Sequence, residues 1–281
     1  DDTTLHACTV EDARVMLEEA VQPFCAASGA EVSLPKSWGL TLGAHPVLVG
    51  PHDGTGVPFV APGQPVRHLG VPLVVGDASE AVRAVFAKKL QSMRYRVRRW
   101  GRFKLTYAGR VHVAKQVLAS VLSFHATYLP VPPELLQQMT RLLQGYVVRE
   151  REAEQAAGSV WCRPCAAVAA LPKGMGGMGM VDLPAFVQAL QAKVVALLLH
   201  PRVVPWKALM RRALSEGFPG QGLRVVLYRP RGAQRPHSVS IRQMSALQAF
   251  WGLPVVRRVP HAQMSWHQVR AEGLVGNPSV C

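Results

Sequence analysis

Two adjacent carboxylates, Asp1 and Asp2, stand at the start of the sequence, just before a segment with helical periodicity. Carboxylate oxygens are the ligands that Mg²⁺ prefers in proteins. Two-metal phosphoryl transfer uses such groups to hold two ions about 3.5–4 Å apart. Because Asp-Asp pairs are also common on protein surfaces, the pair by itself is only a weak indication of a metal site.

A second chemical feature is a run of cations between Ala81 and Pro133, where no Asp or Glu occurs. Its members are Arg83, Lys88, Lys89, Arg94, Arg96, Arg98, Arg99, Arg102, Lys104, Arg110 and Lys115. The aromatic residues that interleave with them are Tyr95, Trp100, Phe103 and Tyr107. Cations can contact phosphates and aromatic rings can stack on bases, although such rings more often belong to a core.

A run of charges is usually a solvated helix face, but ordinary helices mix both signs to gain i,i+4 support. A run of one sign repels itself, which favours an anionic partner over a bare face. We therefore predict that nucleic acid is contacted from Arg94 onward. The candidate contacts are Arg94, Arg96, Arg98, Arg99, Arg102, Lys104, Arg110 and Lys115.

The composition agrees with an anionic partner. The chain has 281 residues, 32 Lys and Arg against 17 Asp and Glu, and a net charge of +15. This surplus favours nucleic acid first and an anionic membrane surface second. Hydrophobic residues make up 49% of the chain, which excludes a wholly disordered protein. We expect an intracellular protein, nuclear or cytoplasmic, because the sequence shows no signal peptide, no apolar run of membrane-spanning length and no disulfide-scaffold density of cysteine.

The periodicity predicts an α+β fold, with a small antiparallel piece followed by a mostly helical part. A helix is expected over Thr9–Ser28, two short strands over Val32–Leu42, a loop or loose hairpin over His45–Pro65, and a strand over Val66–Val75. Further helices are expected over Ser79–Trp100, Ala108–Tyr128, Glu134–Arg151, Pro184–Leu199, Trp206–Ser215 and Val239–Trp251, with a shorter apolar segment over Val160–Ala170.

The order of these segments resembles the later half of the reverse transcriptase palm of LINE-type, non-LTR retrotransposons. In that family an aromatic-Ala-Asp-Asp hairpin is followed by a helix, a Ser-Gly-x-x-x-Asn-x-x-Lys-Ser element and a Tyr-Leu-Gly strand. The matching elements here are Asp1-Asp2, Ser28-Gly29 through Lys36-Ser37, and His68-Leu69-Gly70. Ser33 stands where the family has Asn, and His68 stands where it has Tyr.

The resemblance continues downstream through about residue 210. Leu105-Thr106-Tyr107-Ala108-Gly109-Arg110 is similar to the family's Leu-Ser-x-x-Gly-Arg segment. Leu171 through Gly179 is similar to its Pro-Lys-x-x-Gly-Gly-Leu-Gly turn. The resemblance implies the end of the palm over residues 1–76, a basic helical thumb and linker over 77–155, and a helical post-thumb region over 156–281.

The resemblance also implies roles for individual residues. Asp1 and Asp2 would be Mg²⁺ ligands, and Lys36 would approach the pyrophosphate leaving group. His68, Leu69 and Gly70 would grip the primer. The implied partners are an RNA template, a DNA primer and deoxynucleoside triphosphates. From the residues alone, Lys36 is equally well a solvated lysine, and Gly70 equally well a strand glycine that allows close packing.

The family's third metal-binding carboxylate has no counterpart here. Asp53, Asp77 and Asp182 lie in loops or turns, and the aromatic-Ala before the Asp pair is absent. We therefore expect a C-terminal fragment of an RNA-directed DNA polymerase that is inactive alone. The alternatives are a non-catalytic RNA- or DNA-binding protein derived from a retroelement, and a maturase-like splicing cofactor.

Two local patterns are expected to be structural. Cys162 and Cys165 supply only half of a zinc site, and buried free cysteines are the better interpretation. The glycine run from Gly174 to Gly179 does not follow a dinucleotide fingerprint, so we expect a turn between helical elements.

We expect the isolated chain not to extend a primer, because two carboxylates without a third cannot hold both metal ions in line. Primer extension on a primed RNA template with Mg²⁺ or Mn²⁺ checks this. Extension above background that is lost in Asp1→Ala would contradict the expectation.

Overall fold

The computed structural model describes residues 3–41, 48–51, 55–148, 166–220 and 239–253. The chain forms two compact units, residues 1–84 and 85–281. The described residues are mostly helical, with short antiparallel strands in the first unit. The α+β class is confirmed at this level. The expected boundary after residue 76 lies within the first unit, and the second unit contains residues from both of the expected helical regions.

The first helical segment of the first unit agrees with the prediction. It comprises α1 (Val10–Met16), a π-helical turn (Leu17–Val21) and α2 (Gln22–Ser28). The Thr9 hydroxyl accepts a hydrogen bond from the Asp12 amide at 3.1 Å, and the Asp12 carboxylate accepts one from the Thr9 amide at 3.0 Å. This reciprocal capping box satisfies two otherwise unpaired amides. Gly29 ends the helix in the left-handed conformation.

Two short hairpins follow in the same unit. β1 (Gly50–Pro51) pairs with β2 (Pro58–Phe59), so the segment expected as a loop or loose hairpin contains a hairpin. β3 (Val66–His68) pairs with β4 (Val71–Leu73), so the prediction of one strand over Val66–Val75 was wrong. Leu69 and Gly70 both have positive φ, 47° and 84°. Two successive residues of positive φ form the tight turn whose twist matches the flanking strands.

The prediction of two short strands over Val32–Leu42 was also wrong for the described residues, 32–41. A 3₁₀ turn occupies Leu34–Lys36, and Gly39 forms an isolated bridge with Phe59. Pro35 has no amide hydrogen to donate to a strand ladder. The Ser37 amide instead donates to the Leu34 carbonyl at 3.0 Å, which closes the turn.

The helices that follow agree with the predicted ones to within a few residues over the described ranges. They are α3 (Ser79–Trp100), within which the unit boundary falls, α4 (Tyr107–Val113), α5 (Ser120–Tyr128), α6 (Pro133–Val148), α7 (Ala166–Ala170), α8 (Leu183–Leu199), α9 (Pro205–Gly217) and α10 (Ile241–Trp251). A π-helical segment, Ala114–Ala119, joins α4 to α5 without a break. Of the apolar segment predicted over Val160–Ala170, the structure describes only α7.

The core of the second unit is made by helix packing. α8 contacts α5, α6 and α10. Its inward side chains include Leu183, Val195 and Leu198, which are fully buried. Other fully buried large side chains among the described residues of the unit include Phe86, Met93, Leu118, Leu122, Met139, Leu143, Val147, Leu214 and Leu247.

The glycine run forms a turn, as predicted. Lys173–Met175 is a 3₁₀ turn that Gly176 closes with φ 78°. The amides of residues 175–180 all donate to carbonyls of the same segment, those of Ala169, Leu171, Pro172 and Lys173. These amides are therefore committed to the turn and are not offered to a phosphate.

Gly177 lies where a side chain cannot fit, because a Cβ there would overlap the Leu171 carbonyl oxygen. We expect Gly177→Ala to lower the free energy of unfolding by about 3 kcal/mol, the upper range for overpacking. The matched control is Gly174→Ala in the same turn, where a Cβ would have no neighbour within 4 Å. Urea denaturation compares the two variants, and equal stabilities would contradict the expectation.

Candidate nucleic-acid interface

The predicted metal ligands Asp1 and Asp2 lie outside the described residues, as do Cys162 and Cys165. Within the described ranges, no group of three or more His, Cys, Asp or Glu side chains could hold a metal ion. The described residues therefore offer no ligand set that fits Mg²⁺.

The Lys36 segment and the hairpin that carries His68, Leu69 and Gly70 lie in the same unit. Lys36 is exposed at the end of its 3₁₀ turn. Two residues later, the Trp38 ring meets the His68 ring edge to face, with 6.2 Å between the ring centroids. The Gly39 amide donates to the Pro58 carbonyl at 2.9 Å. These contacts join the Lys36 segment to both hairpins of the unit.

The tip of the second hairpin is exposed. Leu69 has 63% of its surface accessible, and its φ of 47° lies in the region that favours glycine. A bulky residue held in that region is strained, and such strain collects at functional sites. The tip therefore remains a candidate contact surface for the primer.

α3 has one apolar side and one basic side. Phe86, Leu90 and Met93 are buried in the core. Three predicted contacts in the C-terminal half of the helix, together with two that follow its end, are exposed. We call these five residues the basic face: Arg94, Arg98, Arg99, Arg102 and Lys104.

Carboxylates do not neutralise the basic face within the described part of the chain. The ion pairs found there join Arg14 to Glu11 and Glu18, and Arg212 to Glu216. Arg98 and Arg99 lie in the last turn of α3, where the helix dipole favours cations. Arg94 and Arg98 are i,i+4 neighbours of like charge, which destabilises a helix by a few tenths of a kcal/mol. The helix dipole thus explains why cations occur at Arg98 and Arg99. It does not explain the other three cations of the basic face.

Three of the predicted contacts lie apart from the basic face. The Arg96 guanidinium donates from Nη1 to the Val117 carbonyl at 2.9 Å, which ties α3 to the π-helical segment. Arg110 is half-buried, and its guanidinium lies 5.6 Å from the centroid of the Tyr107 ring. Lys115 lines a separate groove of about 530 Å³ beside Gly179 and Phe186.

Burial raises the pKa of Tyr107, although the charge of Arg110 acts in the opposite direction. The Arg110 guanidinium therefore lies over a neutral phenol at physiological pH, which is the geometry of a cation–π contact. Arg96 and Arg110 are not part of the basic face because each has a structural partner of its own, and Lys115 is not part of it because it lines the separate groove.

Another cation, Lys207, is buried and serves the fold. Its ammonium donates to the His200 and Arg202 carbonyls, the latter at 2.7 Å, just after the end of α8. Burial lowers the pKa of Lys207, and the nearby charges of Arg211 and Arg202 lower it further. This lysine contributes to the net charge of the chain but not to a binding surface.

Two aromatic residues belong with the basic face, although aromatic residues in such a run are expected to be core. Tyr95 is 65% exposed and Phe103 is 55% exposed. Helical spacing could have predicted that Tyr95 is exposed, because this residue lies outside the i, i+4, i+7 stripe of Phe86, Leu90 and Met93. Phe103 follows the end of α3, where helical spacing gives no information.

No protein-family model matches the chain, and no curated protein or solved structure matches it. The resemblance to non-LTR reverse transcriptases therefore stays a prediction from the sequence motifs. Within the described ranges, no helix has the length and apolar character needed to cross a membrane.

We expect Arg96→Ala to lower the free energy of unfolding by about 1–2 kcal/mol, because the Val117 carbonyl loses a charged donor. The matched control is Arg94→Ala, which removes an exposed arginine from the same helix and should change stability by less than about 0.5 kcal/mol. Urea denaturation measures both. A more stable Arg96→Ala variant would show that this hydrogen bond does not hold α3.

Proposed function

We propose that this chain binds nucleic acid through the basic face, as the C-terminal part of a non-LTR retrotransposon reverse transcriptase. The observation that supports it best is the exposure of Arg94, Arg98, Arg99, Arg102 and Lys104 without a carboxylate partner among the described residues. A polyanion would neutralise these charges together, and phosphates are the ligands that arginine binds with two parallel hydrogen bonds.

The polymerase part of the proposal rests on the order of the sequence motifs. The contact of Trp38 with His68 supports it, because the proposed leaving-group lysine and the proposed primer grip then belong to one unit. In this proposal Lys36 neutralises the pyrophosphate, while Leu69 and Gly70 lie against the primer end on an RNA template. Asp1 and Asp2 would be two of the Mg²⁺ ligands.

The lack of buried side chains in the described part of the first unit also supports the proposal that the chain is a piece of a larger assembly. Among the described residues from 3 to 76, no side chain is buried. Apolar side chains such as Phe24, Val15 and Leu34 are exposed there. Apolar surface of this kind is stabilised when a partner covers it, and the remainder of a polymerase palm would be such a partner.

Both proposed functions, a polymerase fragment and a retroelement-derived binding protein, require the chain to bind nucleic acid. Salt dependence tests that step directly, since each neutralised phosphate releases counterions. Five phosphates give a slope of log affinity against log salt near −4 to −5 on duplex. Fluorescence anisotropy with a primed duplex at several salt concentrations measures it.

We expect the double variant Arg98→Ala/Arg99→Ala to reduce the magnitude of this slope by about 1 to 2, with little change in sequence preference, because phosphate contacts carry no sequence information. The matched control is Arg141→Ala/Lys193→Ala, which removes two exposed cations from α6 and α8 of the same unit. An unchanged slope and affinity in the first variant would mean that the basic face is merely solvated.

A further inference from the structure

Tyr95 is placed among cations rather than against the core. On the helix surface its neighbours three and four residues along are Arg98 and Arg99, and Arg94 precedes it. Its ring is 65% exposed. Aromatic residues are also weaker helix formers than Lys or Arg. Neither core packing nor helix propensity therefore accounts for a tyrosine at this position.

Phe103 is held at a defined place after the end of α3. The Gly101 amide donates to the Val97 carbonyl at 2.8 Å, and the Phe103 amide donates to the Trp100 carbonyl at 3.2 Å. The Phe103 ring leans on the Trp100 ring, with 5.7 Å between centroids and a tilt of 52°. The ring nevertheless remains 55% exposed. The turn thus presents an aromatic surface between Arg102 and Lys104.

Exposed rings that alternate with cations are the pattern by which proteins hold single-stranded nucleic acid. Cations follow the phosphates while successive bases stack on the rings. In a duplex the base faces are covered by neighbouring pairs, so the rings have nothing to stack on. We infer that the basic face binds unpaired nucleotides, with bases stacked on Tyr95 and Phe103 and phosphates on the flanking arginines.

An anionic membrane surface is the other partner to which cations and aromatic residues are suited. A helix that lies in a membrane interface needs a continuous apolar face. The apolar face of α3 is buried in the core through Phe86, Leu90 and Met93. Two separate rings among five cations suit a strand of bases and phosphates better than a lipid surface.

This inference rests on the proposed function, because the rings need the cations to bring the strand to them. The test compares a labelled single-stranded RNA of about 15 nucleotides, near the upper size of such sites, with a blunt duplex of the same sequence. The key variant is Tyr95→Leu/Phe103→Leu. The matched control is Phe24→Leu, which removes an equally exposed ring, 65% accessible, from the first unit.

We expect Tyr95→Leu/Phe103→Leu to weaken single-strand binding by about 30-fold or more, because the loss of each stacked base costs at least about fivefold. Duplex binding should change less than about twofold and its salt slope should stay the same, because the phosphate contacts remain. Tyr95→Phe, which retains the ring, should bind the single strand as the wild type does. Circular dichroism checks that each variant keeps its helices.

The outcomes separate the inference from the proposed function. If the ring variant weakens neither ligand, or weakens both equally, the stacking inference is wrong while the proposed function stands. If Arg98→Ala/Arg99→Ala also weakens neither ligand, the proposed function itself fails. Binding to phosphatidylserine vesicles that is lost in the ring variant, without any effect on RNA, would replace the strand by a membrane surface.

Discussion

The burial of one apolar stripe on α3 determines which side chains of this helix face solvent. Phe86 and Met93 are completely buried, and each fully buried side chain of this size contributes about 1.5–3 kcal/mol. A helix with one side anchored in this way presents the residues of its opposite side to water. The side chains of Tyr95 and Arg99 are exposed because they lie across the helix from that stripe, while Arg94 and Arg98 are exposed on its flank.

Two basic residues make contacts that stabilise the fold, so they are not available to a binding partner. The Arg96 hydrogen bond to the Val117 carbonyl holds α3 against the π-helical segment. The Lys207 ammonium satisfies carbonyls beyond the end of α8. Net charge alone would count both as binding residues. A basic protein therefore offers fewer phosphate contacts than its composition suggests.

The first unit is not stabilised in this way, because no side chain is buried among its described residues from 3 to 76. It is held by backbone hydrogen bonds and by a few close contacts. Gly39 belongs to one of these, since the Phe59 ring occupies the place where a Cβ would be. The edge-to-face contact of Trp38 with His68 is another. The described residues from 3 to 76 thus present the Lys36 segment and the hairpin tip without buried side chains to support them.

The sequence by itself determined the helices, their caps and the surplus of cations, because these depend on local spacing and composition. The Thr9–Asp12 capping box and the Gly29 stop are readable from a few adjacent residues. The hairpin turn at Leu69 was not predicted from the sequence, since a leucine at positive φ is rare. The sequence also could not separate Arg96 from Arg94. Only the tertiary structure decided that, because the partner of Arg96 is a backbone carbonyl 21 residues away, brought close by helix packing.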